Sequence, residues 1–325
     1  MKTKLLSVLA ITAILFASCS SDDNDLNNEA PELRISSGVS SLLKSAADTQ
    51  ENTIASGETV NLWVDDATTA DALYKANQLT ANGSNGFAGG NPMYFPQTGN
   101  NVDIYAIHGK IATPFANGDA FPTSAVAYSV ETDQSVFGGV KFTNSDLLYA
   151  YSKNVARNGN PTTASLTFYH MLSKLEVAVK IGNGVPVLAL SDAVSLGNNN
   201  IIVDGEFTPS ITATMTNQAD RAAMLAAGTT TATMQLGQLT CTDFTTANII
   251  YNEAILVPQN MSGKVLTFNL ASGGTLKYTI PAGTTFESGK KYRYEITLNL
   301  TGLQVTSTIE DWEAVNVVTG SAEMD

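Results

Sequence analysis

Between Tyr292 and Thr301 the chain alternates apolar and polar residues without a break. Tyr292, Tyr294, Ile296, Leu298 and Leu300 fall on one side, and Arg293, Glu295, Thr297, Asn299 and Thr301 on the other. A period of two is the geometry of a strand, in which successive side chains point to opposite faces. A helix would scatter the same residues around its axis. The pattern recurs. Leu175, Val177, Val179 and Ile181 alternate with Glu176, Ala178 and Lys180; Val102 and Ile104 alternate with Asp103 and Tyr105; Leu276, Tyr278 and Ile280 alternate with Lys277 and Thr279. Turn formers separate these runs: Asn82-Gly83, Gly89-Gly90-Asn91-Pro92, Asn158-Gly159-Asn160-Pro161, Asp204-Gly205 and Ser272-Gly273-Gly274. Many short strands so punctuated predict an all-β chain of sandwich type.

With 325 residues the chain can bury two cores. The glycine turn Gly182-Asn183-Gly184, closing the Leu175 run, is the expected boundary between two sandwiches of similar size. Helical signal is sparse. One short helix is expected from Asn217 to Ala227, with Asn217 as cap, Asp220 in its first turn and Gly228 as terminator. Another turn or two is expected from Ser145 to Tyr151.

Charge narrows the possible partners. Only 14% of residues are charged and the formal net charge is −13, so a phosphate backbone would be repelled. A polybasic contact with anionic lipid is excluded on the same ground.

The N-terminus reads as an export signal. Lys2 and Lys4 precede an apolar stretch from Leu5 to Ala17, shorter than the roughly 20 residues that span a bilayer. It ends in Leu15-Phe16-Ala17-Ser18-Cys19, which resembles a lipobox, with Phe16 where leucine is usual. Cleavage ahead of Cys19 and acylation of its thiol would anchor the protein without a spanning helix. Residues 1–18 are thus a lipoprotein signal peptide. Residues 19–30, rich in Asp and Asn, are an acidic tether with nothing to bury. The second cysteine, Cys241, reads as a small buried hydrophobe.

Catalytic chemistry is hard to assemble. Any nucleophile–histidine site must use His108, beside a turn, or His170, inside the apolar run Leu166 to Leu172. No Gly-x-Ser-x-Gly elbow occurs. The stretch Gly283 to Lys290 has five residues between its glycines where a phosphate loop has four, and Lys291 stands where Ser or Thr must hold magnesium. Asp65-Asp66 and Glu310-Asp311 lack the spacing of a calcium loop and read as solvated turns. The Tyr292–Tyr294 pair reads as core. No enzyme, cofactor or metal site is expected.

Several blocks in order resemble the fimbrillin (Mfa-like) family, subunits of type V pili. Tyr74 to Gly83, then Met93-Tyr94-Phe95-Pro96 and Val102-Asp103-Ile104-Tyr105-Ala106, look like its N-terminal domain. Phe168-Tyr169-His170-Met171-Leu172-Ser173-Lys174-Leu175 is similar to its F-x-H-x-L-x-K strand. Ile255-Leu256-Val257-Pro258-Gln259, Gly289 to Tyr294 and Ile309-Glu310-Asp311-Trp312 resemble its C-terminal domain.

The resemblance implies two tandem transthyretin-like Greek-key sandwiches, over residues 31–182 and 183–325. It implies a stalk or tip subunit of a surface fimbria, anchored in the outer membrane as a lipoprotein precursor. Its partners would be other fimbrial subunits. A protease would remove the first strand, and a neighbour's strand would take its place. Here that strand is Glu32 to Val39, with Leu33, Ile35 and Val39 filling pockets. Lys44, in the polar segment that follows, is the favoured cleavage site, because cutting there frees the whole strand. Arg34 is the alternative, inside the strand. Val315, Val317 and Val318 fit either a donated strand or the closure of this chain's own sheet. A second reading is a lipid-anchored adhesin or glycan-binding protein, for a host or bacterial surface ligand, that never polymerises.

Overall fold

Each of these alternating runs is a strand in the computed structural model of the chain, which describes residues 30–40, 53–181, 190, 192–239, 249–271, 273–299, 302–311, 315–316 and 321–322. In chain order the elements begin with β1 (Glu32–Val39), β2 (Thr59–Asp66), β3 (Ala72–Ala81), β4 (Phe87–Ala88), β5 (Met93–Tyr94), β6 (Val102–His108) and β7 (Val126–Ser129). Then come α1 (Val140–Ser145), β8 (Leu148–Val155), β9 (Thr162–His170), β10 (Ser173–Ile181), β11 (Ser195–Ile202) and β12 (Asp204–Phe207). α2 (Gln218–Ala223), β13 (Leu225–Ala227), β14 (Thr231–Gln235), β15 (Gly237–Leu239), β16 (Ile249–Leu256), β17 (Gln259–Asn260) and β18 (Val265–Asn269) follow. The last are β19 (Thr275–Thr279), β20 (Thr285–Phe286), β21 (Lys290–Asn299), β22 (Gly302–Asp311), β23 (Val315–Asn316) and β24 (Ser321–Ala322).

The strands of the first half form the path β4-β3-β2-β6-β8-β9-β1-β5. β9 is its corner. Tyr169 and His170 pair with Tyr149 and Leu148 of β8, whereas Thr162 to Phe168 run parallel to Leu33–Val39 of β1. The path therefore folds over itself. Val60, Leu62 and Val64 of β2, Ile104 of β6 and Leu148 of β8 pack in one core with Leu33, Val39, Leu166 and Phe168.

A second, larger core lies on the other side of the same wall. Tyr105 and Ile107 of β6 and Trp63 of β2 enter it, together with Tyr292, Tyr294, Ile296 and Leu298 of β21. Around it stand the sheets β15-β16-β10-β21-β22-β23, with β24 on β22, and β14-β11-β18-β19. β6 thus buries both faces, and Tyr105, on its nominally polar side, is only 3% exposed.

β7 pairs with β12, and β10 pairs with β16 and β21. Strands on either side of the expected boundary therefore share sheets; residues 182–189 themselves lie outside the described residues. Tyr292 and Tyr294 are core as expected, at 2% and 4% exposure. The opposite face of β21 is also covered at one end. Lys291 is buried, and its neighbour across the sheet, Lys174 of β10, is ion-paired to Glu253 of β16 at 2.9 Å.

Both helical expectations need correction. The first helix lies earlier, over α1, and Leu148 to Tyr151 belong to β8. There Leu148 and Ala150 join one core and Tyr149 the other, an alternation that only a strand can satisfy. The second is capped as predicted, the Asn217 side chain accepting the Ala219 amide at 3.0 Å. It stops at Ala223, because Leu225–Ala227 pair with β12. Asp66 is likewise no solvated turn residue. It is buried, and accepts hydrogen bonds from the Thr68 and Thr69 amides at 2.8 and 3.1 Å and from the Asn100 side chain.

Candidate functional site: the groove of the first strand

Strand β1 alternates as its sequence requires. Leu33, Ser37 and Val39 are buried and Ile35 half-buried on one face, while Arg34 on the other is exposed. Its inner edge is paired to β9 along seven residues. Its outer edge is held at only a few points. Glu32 and Leu33 pair with Tyr94 and Met93 of β5, Ser36 bridges to Gly86, and the Ser37 amide donates to the Asn85 carbonyl at 3.1 Å. The ends are pinned by side and main chain alike. The Glu32 amide donates to Asn160 Oδ1 at 3.0 Å, and the Ser40 amide to the Phe168 carbonyl at 2.8 Å.

Removing β1 would leave β9 with a row of unpaired donors and acceptors beside an apolar trough, a template for another strand. Leu33 and Val39 alone contribute about 1.5–3 kcal/mol each by burial. The groove is thus held by side-chain burial inside and lightly latched outside. Asn85, Gly86 and Asn160 are the residues sequence reasoning missed. Their only signal was the glycine- and asparagine-rich composition of their loops.

Arg34 sits in the ladder opposite Thr163 and is ion-paired to Glu32 at 2.9 Å. Its hydrogen bond to Glu32 pulls that carboxyl below its usual range. Lys44, Cys19 and Cys241 lie outside the described residues, as do Val317 and Val318. Val315 pairs with Glu310 at the edge of this chain's own sheet.

The histidines are structural. His170 and Asp146 form a wholly buried pair at 3.0 Å. His108 places its ring nitrogens 2.9 and 3.1 Å from the carbonyls of Thr59 and Thr143, tying β6 to β2 and α1. Among the described residues no three His, Cys, Asp or Glu side chains are grouped to hold a metal.

A profile of fimbrillin-like proteins matches residues 46–312. A Bacteroides uniformis protein, provisionally named fimbrium subunit Fim1C, is 24% identical over 341 residues, covering 99% of this chain and 100% of that protein. Two crystal structures share the fold. One, provisionally described as a cell adhesion protein of Bacteroides ovatus, superposes with a TM-score of 0.63 at 18% identity, over 89% of this chain and 100% of the other. The second, so described from Bacteroides uniformis, gives 0.60 at 20% identity, over 88% and 99%.

Proposed function

The chain belongs to the fimbrillin-like family, and we propose that it is a structural subunit, stalk or tip, of a cell-surface fimbria. It is a building block and not an enzyme. In this reading it is exported as a lipoprotein, held at the outer membrane by the acyl group on Cys19, with residues 19–30 as an acidic tether. Proteolysis at Lys44 then removes β1; Arg34 is the alternative site, where a cut would leave Ile35 to Val39 attached. A strand from a neighbouring subunit fills the groove.

The observation that carries this reading is the seating of β1. It lies between β9 and β5 in its sheet and does not pair with β2, the strand that follows it in the chain. Cleavage at Lys44 would leave the strand attached by non-covalent contacts alone.

The test is assembly. Protein trimmed after Lys44 is expected to form ladders that resist mild heating in detergent, while the untrimmed chain stays monomeric. Mass spectrometry of the cell-derived protein should find an N-terminus beyond β1. A trimmed product that remains strictly monomeric would refute strand exchange and leave a lipid-anchored surface protein.

A further inference from the structure

A cleft of about 920 Å³ opens where the outer face of β2 and β6 meets the segment from Thr208 to Ala213 and helix α2. That volume is within the range of ligand cavities. Phe121, Pro122, Pro209, Ile211 and Met224 make the apolar part of its wall, and Thr and Ser hydroxyls with Asp65 and Asp220 the polar part. Ile211 is one of the few large hydrophobic side chains left substantially exposed, at 38%.

Asp65 lies in this cleft without an evident structural role. It is directly opposite Asp103 in the β2–β6 register, a like-charge placement that disfavours the pairing. Asp103 is satisfied, accepting the Asn154 amide at 2.6 Å and the Tyr105 hydroxyl at 3.4 Å. Asp65 accepts no hydrogen bond among the described residues. Burial first and Asp103 second push its carboxyl above the usual range, and Lys75 offsets this only in part. Asp220 of α2, which accepts the Thr214 amide at 2.8 Å, lines the same cleft.

A carboxylate held partly desolvated, against another carboxylate and only partly offset by Lys75, has room for a further positive charge. We propose that this cleft binds the cationic side chain of a partner polypeptide, a lysine or arginine carried on an apolar segment. The apolar part of the wall suits the alkyl stem, and the Asp65 carboxylate, which lines the cleft, suits the charged head. A sugar fits less well. Trp63 and Tyr105 are only 1% and 3% exposed, and Trp63 is packed edge-on against Phe115 and Phe121, so neither offers a ring face for stacking.

The test uses the full-length chain and three acetylated pentapeptides, with arginine, lysine or citrulline between valines. Citrulline keeps the shape of arginine and lacks its charge. Calorimetry should show the two cationic peptides binding at least about tenfold more tightly than the citrulline peptide, with affinity falling as salt is added. Asp65→Asn should abolish that preference while leaving the melting temperature unchanged or raised, since it removes a like-charge pair. A merely structural aspartate would instead lower it. Equal affinity for arginine and citrulline, no binding by any peptide, a preference that survives Asp65→Asn, or its loss together with a fall in melting temperature would each overturn the proposal. So would a neutral oligosaccharide that binds and displaces the arginine peptide.

Discussion

Replacing Leu33 by alanine should loosen the first strand selectively. Leu33 is 2% exposed and lies at the start of the β1–β9 ladder, where the outer edge is also paired to β5. Truncating a buried leucine costs about 2–5 kcal/mol. If β1 is a separately opening unit, that cost is expressed in its local opening. At about 1.4 kcal/mol per factor of ten, the open population then rises roughly thirtyfold to a few thousandfold. The chain carries its own reporter. Arg34 is locked in the ladder and can enter a protease only when β1 has left it, whereas Arg157 is exposed in the β8–β9 loop. Limited trypsin digestion followed by mass spectrometry should show cleavage after Arg34 accelerating in Leu33→Ala while cleavage after Arg157 keeps its rate. Acceleration at both sites would mean that β1 opens only with the rest of its core, and the reasoning would fail. So would a fall in melting temperature with no change at Arg34.

Three further outcomes follow from buried or paired groups. Gln134 is buried and acts as a piece of ladder, its side chain accepting the Ile255 amide at 2.9 Å and donating to the Ile255 carbonyl at 2.9 Å, so Gln134→Ala should lower stability by about 1–3 kcal/mol in urea unfolding. Lys174→Met should cost about 3–5 kcal/mol because Glu253 stays buried beside it, and pairing it with Glu253→Leu should recover most of the loss. The Lys141 ammonium and the Ser135 hydroxyl and amide hold Asp133 down to about 2 from 3.8. Its contribution is therefore complete above about pH 4 and lost as pH falls through about 2, and a carboxyl-carbon NMR titration should place its midpoint near the lower value.

The strands were legible because their period is local. Tyr292, Tyr294, Ile296 and Leu298 face the core as their alternation requires, and so do Leu33 and Val39. Leu148 to Tyr151 misled because an apolar run buried on both faces loses its period, and only the partners β6 and β9 reveal it as a strand. α1 carried no signal of its own, since Gly139 offers no side chain to cap it. The groove of β1 was half legible. Its filler was written in one segment, but its latch comes from Asn85, Gly86 and Asn160, far along the chain. The cleft at Asp65 was not legible at all, because Asp65 of β2 and Asp220 of α2 line one cleft only after those elements have packed.

The two-faced wall formed by β2 and β6 has a mechanical consequence. A fibre element is pulled end to end, and two cores joined by a linker would yield one after the other. Here Trp63, Tyr105 and Ile107 serve one core, while their strand neighbours Leu62, Val64, Ile104 and Ala106 serve the other. Tension that parts one must therefore tear the lining of its neighbour. In single-molecule stretching the body should rupture in one step, and a reproducible pair of separate peaks would contradict that.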